Sequence, residues 1–266
     1  MPEPAAANES IGRKSIERVR SRFIWLRDQR LERTKHSLQH EQKAFLEVLP
    51  LIFHVNHPLL PGYVDSTVPA GIAGYEPGRN EVLLARAHAR SFTLQKTGTV
   101  RKPEIDALYL MGSSGSLGQD SKSDLDFWLC YRGHLNDERM DALMRKIELI
   151  EHWGDSLGLE VHVFPMQAEA FRTGNMLPLS DESSGELGPH LLLEEFYRTG
   201  LLIAGLPPLW WLVPPGCEDY EAYTERLFQN RFVSRKAWLD FGGLDTIPPH
   251  EFYGGGHWQL HKSIGS

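Results

Sequence analysis

The stretch GSSGSLGQDSKSDLDFW, from Gly112 to Trp128, decides how the rest of this 266-residue chain is read. An apolar run from Ile105 to Met111 leads into it, and a second run from Leu125 to Tyr131 grows out of it. Short apolar runs separated by Gly and Ser predict two buried strands joined by a polar loop. Asp124 and Asp126 sit on the second of these strands. Strand side chains alternate faces, so residues two apart project to the same side. Two carboxylates held that close repel each other unless a cation lies between them. Hard oxygen donors favour Mg²⁺ or Mn²⁺. The amides and hydroxyls of the Gly-Ser loop suit phosphate oxygens, in the manner of backbone anion nests.

Downstream, Leu135 to Leu157 has helical spacing, with Leu143, Ile147, Ile150 and Trp153 on one face and Gly158 as its stop. Leu159 to Phe164 then reads as a third strand. Glu160, 34 residues beyond Asp126, is the candidate third carboxylate of a two-metal cluster. Glu169 is the nearest alternative, but it lies beyond Pro165 and off the strand. Two metals so held lower the pKa of an attacking hydroxyl and stabilise the leaving oxygen of a phosphoryl displacement. An Asp-x-Asp pair or a Gly-Ser turn alone is commonplace on surfaces. The weight lies in their order along the chain.

Away from this centre, residues 1–12 read as a flexible leader. From Arg13, the 3-4-3 spacing of Ile16, Val19, Phe23 and Leu26 predicts an amphipathic helix with basic residues on its other faces. Gln42 to His54 and Val82 to Leu94 read as further helices, with a structured Pro/Gly-rich loop from Tyr63 to Gly78 between them. After a polar loop from Gly174 to Pro189, helices are expected over His190 to Ala204 and Tyr220 to Phe232. A short one is expected from Ser234 to Phe241, and another from Trp258 to Ile264. The formal charge of −7 argues against general nucleic-acid binding. Cys130 and Cys217 are too few for a disulfide framework and point to a reducing compartment. No signal-peptide core is visible, and Leu201 to Pro215 is too interrupted to span a bilayer, so a cytoplasmic location is expected.

The order strand, Gly-Ser loop, Asp-x-Asp strand, helix, acid-bearing strand resembles the polymerase-β-type nucleotidyltransferase superfamily. A more specific resemblance is to the amino-terminal catalytic part of bacterial class I adenylate cyclases. It is carried by HPLLPGYVDSTVPAGI from His57, MGSSGSLGQDSKSDLDFWLC from Met111, LLLEEFYRTG from Leu191, WLDFGGL from Trp238 and EFYGGGHWQLHKSI from Glu251. In the last segment Phe252 and Tyr253 are swapped against the family pattern. His257 replaces a Leu and His261 a Tyr, while Glu251, Gly254, Trp258, Leu260 and Lys262 are kept.

The resemblance implies an α/β (α+β) fold: a nucleotidyltransferase core with a small mixed sheet at 96–172, a helical region at 13–95 and a mainly helical region at 173–266, forming one catalytic unit. It implies conversion of ATP to 3′,5′-cyclic AMP and pyrophosphate, with two Mg²⁺ or Mn²⁺ ions on Asp124, Asp126 and Glu160. Gly112, Ser113 and Ser123 would grip the phosphates, and Arg198 and Lys262 would supply positive charge. The family's chains are longer, so a carboxy-terminal regulatory portion and a possible regulatory protein are expected partners. The chain itself reads as part of a longer protein. Two other readings stand beside this one: a nucleotidyltransferase with a separate acceptor, and a nucleotide-binding module that docks through the basic stripe from Arg13 to Lys35.

Other residues read as structural. Lys122 reads as a solvated loop lysine, His54 and His57 as hydrogen-bonding residues, and Trp210-Trp211 as core packing. His162 alternates with Glu160 and reads as a hydrogen-bonded core histidine rather than a site residue.

Overall fold

The computed structural model describes residues 12–94, 102–112, 124–173, 187–214 and 216–244. Its helices are α1 (Arg13–Ser37), α2 (His40–Val55), α3 (Arg79–His88), α4 (Asp137–Ser156), α5 (Ala168–Thr173), α6 (Leu187–Thr199) and α7 (Tyr220–Gln229). Strands β1 (Ile105–Leu110), β2 (Leu125–Tyr131), β3 (Val161–Met166) and β4 (Leu201–Gly205) form one mixed sheet in the order β3-β2-β1-β4. The β1–β2 and β1–β4 pairs are antiparallel and β2–β3 is parallel. A parallel pair needs a long crossover, and α4 supplies it. Asn136 caps the start of α4 by accepting from the Arg139 N–H (3.1 Å). Gly158, at φ +71°, follows its end as the glycine stop predicts.

Alternation along β1, β2 and β3 divides the apolar residues between two cores. Leu125, Phe127, Leu129, Val161 and Val163 face a core built on α2 and α4, with Phe45, Leu49, Phe53, Leu143 and Ile150. Trp128, Cys130 and Tyr109 face a second core with Phe196 of α6, Trp211, Leu227 and Phe241. Trp128 stacks on Phe196 with ring centroids 4.7 Å apart, a pairing worth about 0.5–1.5 kcal/mol beyond its buried area. The stripe of α1 closes this second core through Ile16, Val19 and Phe23, the last stacked on Trp211 at 4.9 Å. Leu26 turns out to be exposed and Ile24 takes its place against the core.

Several expected boundaries shift. The helix expected over His190 to Ala204 ends at Thr199, and the next residues form edge strand β4. The break falls at Gly200, where a Cβ would meet the Phe196 carbonyl oxygen at 2.7 Å, so only glycine fits. An apolar run is ambiguous between strand and buried helix, and pairing with β1 decides it. The expected helix at Ser234 to Phe241 shrinks to a 3₁₀ turn over Arg235–Ala237. The expected helix at Trp258 to Ile264 lies outside the described residues. Among the described residues no helix is long and apolar enough to cross a membrane.

Lys146 of α4 is only 1% exposed. Its Nζ donates to Asn56 Oδ1 (3.1 Å) and lies 5.7 Å from the centre of the Phe53 ring. Burial lowers its pKa to about 7. The folded value lies below the unfolded one, so between about 7 and 10.5 the unfolded chain binds the extra proton and stability rises with pH. Urea unfolding of the wild type should therefore show a gain of up to roughly 1.4 kcal/mol per pH unit from pH 7 towards 10. Lys146→Met should flatten that gain; an unchanged slope in the variant would assign it to other groups.

Candidate active site

The candidate site lies where the C-terminal end of β1 meets the N-terminal ends of β2, β3 and β4. The Met111 N–H donates to the Asp126 carbonyl (2.7 Å), and the Leu125 N–H donates to the Glu160 carbonyl (2.9 Å). With Leu125 opposite Val161 and Asp126 opposite His162, two rungs form across the parallel pair. The outer rung brings Asp124 beside Glu160, and the inner one sets Asp126 beside His162. All four share the Trp128 face of the sheet by alternation. Glu160 thus stands one residue before β3 rather than within it, yet still next to the Asp pair.

Asp126 is half-buried while Asp124 and Glu160 are exposed. Burial raises the Asp126 carboxyl above its ordinary range; His162 opposes the shift, and Asp124 and Glu160 add to it. Among the described residues no three His, Cys, Asp or Glu side chains are arranged as they stand to hold a metal ion. The donor chemistry nevertheless fits a hard divalent cation. A half-buried carboxylate flanked by two more is an arrangement that a cation relieves.

Gly112 begins the turn after β1 at φ +74°, with open space where a Cβ would project. Its N–H donates to Thr199 Oγ1 (3.3 Å), which ties the turn to the end of α6. Thr199 lies within the family-like segment LLLEEFYRTG, but only the tertiary approach of α6 reveals its contact with the turn. Arg198, its neighbour, is 74% exposed on its side chain and pairs with Glu194 one turn back. Such an exposed pair is worth about 0.3–0.5 kcal/mol, little enough to yield to a polyanion. Ser113, Ser123, Lys122 and Lys262 lie outside the described residues.

The expectation for His162 needs correction. Its side chain is 46% exposed, and its Nε2 stands 3.6 Å from Glu160 Oε1, so it belongs to the carboxylate cluster and not to the core. The inward residues of an edge strand sit beyond the end of the aromatic core here, which exposes the face that alternation would otherwise bury. His54 and His57 are hydrogen-bonding residues as expected: His54 Nδ1 accepts from the Ile72 N–H (3.0 Å) and His57 Nδ1 from the Leu59 N–H (3.1 Å). Trp210 stacks on Tyr197 at 4.4 Å and Trp211 is buried, both as packing residues. A cleft of about 410 Å³ lined by Asp106, Arg172, Arg235 and Trp238 lies at the opposite end of the sheet. Its arginines pair with Asp240, Glu221 and Glu225.

Fold and site together define a mixed α/β protein with a carboxylate cluster at the N-terminal ends of β2 and the edge strand β3. A model of the adenylate cyclase NT domain matches residues 15–211, and the chain belongs to that family. Adenylate cyclases of Escherichia coli K12 and Yersinia intermedia are each 35% identical to it, over 257 and 254 residues. Each alignment covers 94% of this chain and 30% of the relative, so the chain spans about a third of the length of the curated relatives it matches. Among solved structures, a toxin–antitoxin with AMP-PNP is similar over 62% of this chain and 90% of that one, at 13% identity and a TM-score of 0.25, a likeness too slight to define the fold.

Without divalent cation, Asp126→Asn should raise stability at neutral pH, because it removes a carboxylate whose ionisation burial disfavours. The same change should weaken Mn²⁺ binding. Calorimetry with and without Mn²⁺ measures both effects, and a destabilised variant with unchanged Mn²⁺ affinity would remove Asp126 from the cation site.

Proposed function

We propose that this chain is the catalytic part of an adenylate cyclase, converting ATP to 3′,5′-cyclic AMP and pyrophosphate. The observation that carries the reading is the register of β2 and β3, which gathers Asp124, Asp126 and Glu160 at the end of the sheet where Gly112 begins its turn. Membership of the adenylate cyclase NT-domain family supplies the reaction. The order of strand, Gly-Ser loop, Asp-x-Asp strand, helix and strand supports a nucleotidyltransferase-type core within one catalytic unit.

Two Mg²⁺ or Mn²⁺ ions would supply Lewis acidity towards the triphosphate and the ribose hydroxyl. Asp124, Asp126 and Glu160 are the residues that would hold them. Glu160, at the exposed outer rung, is placed by this reading nearest the 3′-hydroxyl and assists loss of its proton. The 3′-oxygen then forms a bond to the α-phosphorus as the bond from that phosphorus to the bridging oxygen breaks, and pyrophosphate leaves. Gly112 lets the backbone approach the β- and γ-phosphates closely, with Ser113 and Ser123 as hydroxyl donors. Arg198 exchanges Glu194 for a phosphate oxygen, and Lys262 adds a second positive charge. The proposed setting is the cytoplasm, with a carboxy-terminal portion and a regulatory protein as partners.

Incubation with ATP and Mg²⁺ or Mn²⁺ should yield cyclic AMP without any added acceptor. The Asp124→Ala, Asp126→Ala double variant should lose at least about 10²–10³-fold in rate, the typical cost of one preorganised electrostatic group. A nucleotide transferred to a separate acceptor would replace this reading by the transferase one. Metal-dependent ATP binding with no turnover in the 266-residue chain would favour the binding-module reading.

A further inference from the structure

His162 occupies the inner rung of the site, opposite Asp126, where no carboxylate stands. Parallel pairing puts the two side chains on one face, and the following rung is filled by Trp128 and Phe164. The imidazole is half-exposed, unlike a core histidine. Its Nε2 is turned towards Glu160, 3.6 Å from Oε1. The nearest ring to it is Phe164, with centroids 6.4 Å apart, so no stacking partner holds it elsewhere among the described residues.

We propose that His162 supplies a nitrogen ligand to the divalent cation held by Asp126, making the inner position a mixed carboxylate–imidazole site. This rests on the cation site proposed above and adds to it a donor of a different class. The ring needs only to leave Glu160 and turn towards its cross-strand neighbour, a side-chain movement on an exposed edge strand. Glu160 then remains free at the outer rung beside Asp124, so each rung offers two donors from two strands. An imidazole is a softer donor than a carboxylate and suits Mn²⁺ and later transition ions better than Mg²⁺. The site should therefore discriminate between Mn²⁺ and Mg²⁺ more strongly than one built from oxygen alone.

The test is pulsed EPR of the protein with Mn²⁺ bound, read for ¹⁴N modulation from a directly coordinated imidazole and needing no turnover. The wild type should show the modulation. His162→Ala should abolish it while Mn²⁺ stays bound through the carboxylates, about tenfold more weakly. His162→Glu should also lose it and should swing the preference back towards Mg²⁺ in a competition titration. This variant keeps a donor at the position and guards against a mere folding defect. Mn²⁺ bound without ¹⁴N coupling, or coupling that survives in both variants, overturns the role of His162 and leaves the carboxylate site standing. A wild type that binds no Mn²⁺, or binds it unchanged in Asp126→Asn, overturns the cation site itself and this inference with it.

Discussion

The rest of the site depends on one backbone hydrogen bond, from the Leu125 N–H to the Glu160 carbonyl, at the head of the parallel β2–β3 pair. It marks the register of the whole ladder, and register decides which side chains share a face. A slip of one residue would carry Val161 to the site and turn Glu160 and His162 into an apolar core, because strand side chains alternate with a period of two. Burying an unpaired carboxylate among Phe127, Leu143 and Ile150 would cost several kcal/mol. The apolar residues thus enforce the position of the polar ones.

The two cores have different tasks. The core on the α2 and α4 side holds Leu125, Phe127, Val161 and Val163 and so maintains the register. The aromatic core on the other face begins at Trp128, two residues after Asp126, and anchors α6 through Phe196. The anchored end of α6 brings Thr199 to Gly112 and leaves Arg198 nearby, paired with Glu194. Docking of α1 through Phe23 on Trp211 completes that packing. The apolar side of the basic helix is thereby used inside the domain, while its charged faces stay outside.

Asp124, Asp126 and the strand that carries them could be found from the chain alone, because alternation and the Gly-Ser loop are local signals. The helix of α4 and its glycine stop were equally legible, as was the structural role of His54, His57 and the paired tryptophans. Strand β4 was not, since Leu201 to Ala204 satisfies either a helix or a strand until β1 offers its edge. His162 was misjudged for a related reason. Alternation assigns a residue to a face of the sheet, but not how far along that face the covering layer extends.

By itself, then, the sequence determined the two carboxylates, the order of the elements around them and the family to which the chain belongs. Those features are written in residue type and spacing. Only the tertiary structure decided that Asp126 faces an imidazole, that Glu160 sits on the outer rung, and that Thr199 grips the turn at Gly112. Each of these joins residues 36 to 87 positions apart. Such pairings follow from strand register and helix docking, which are settled by the packing of two cores against one sheet and not by any local pattern.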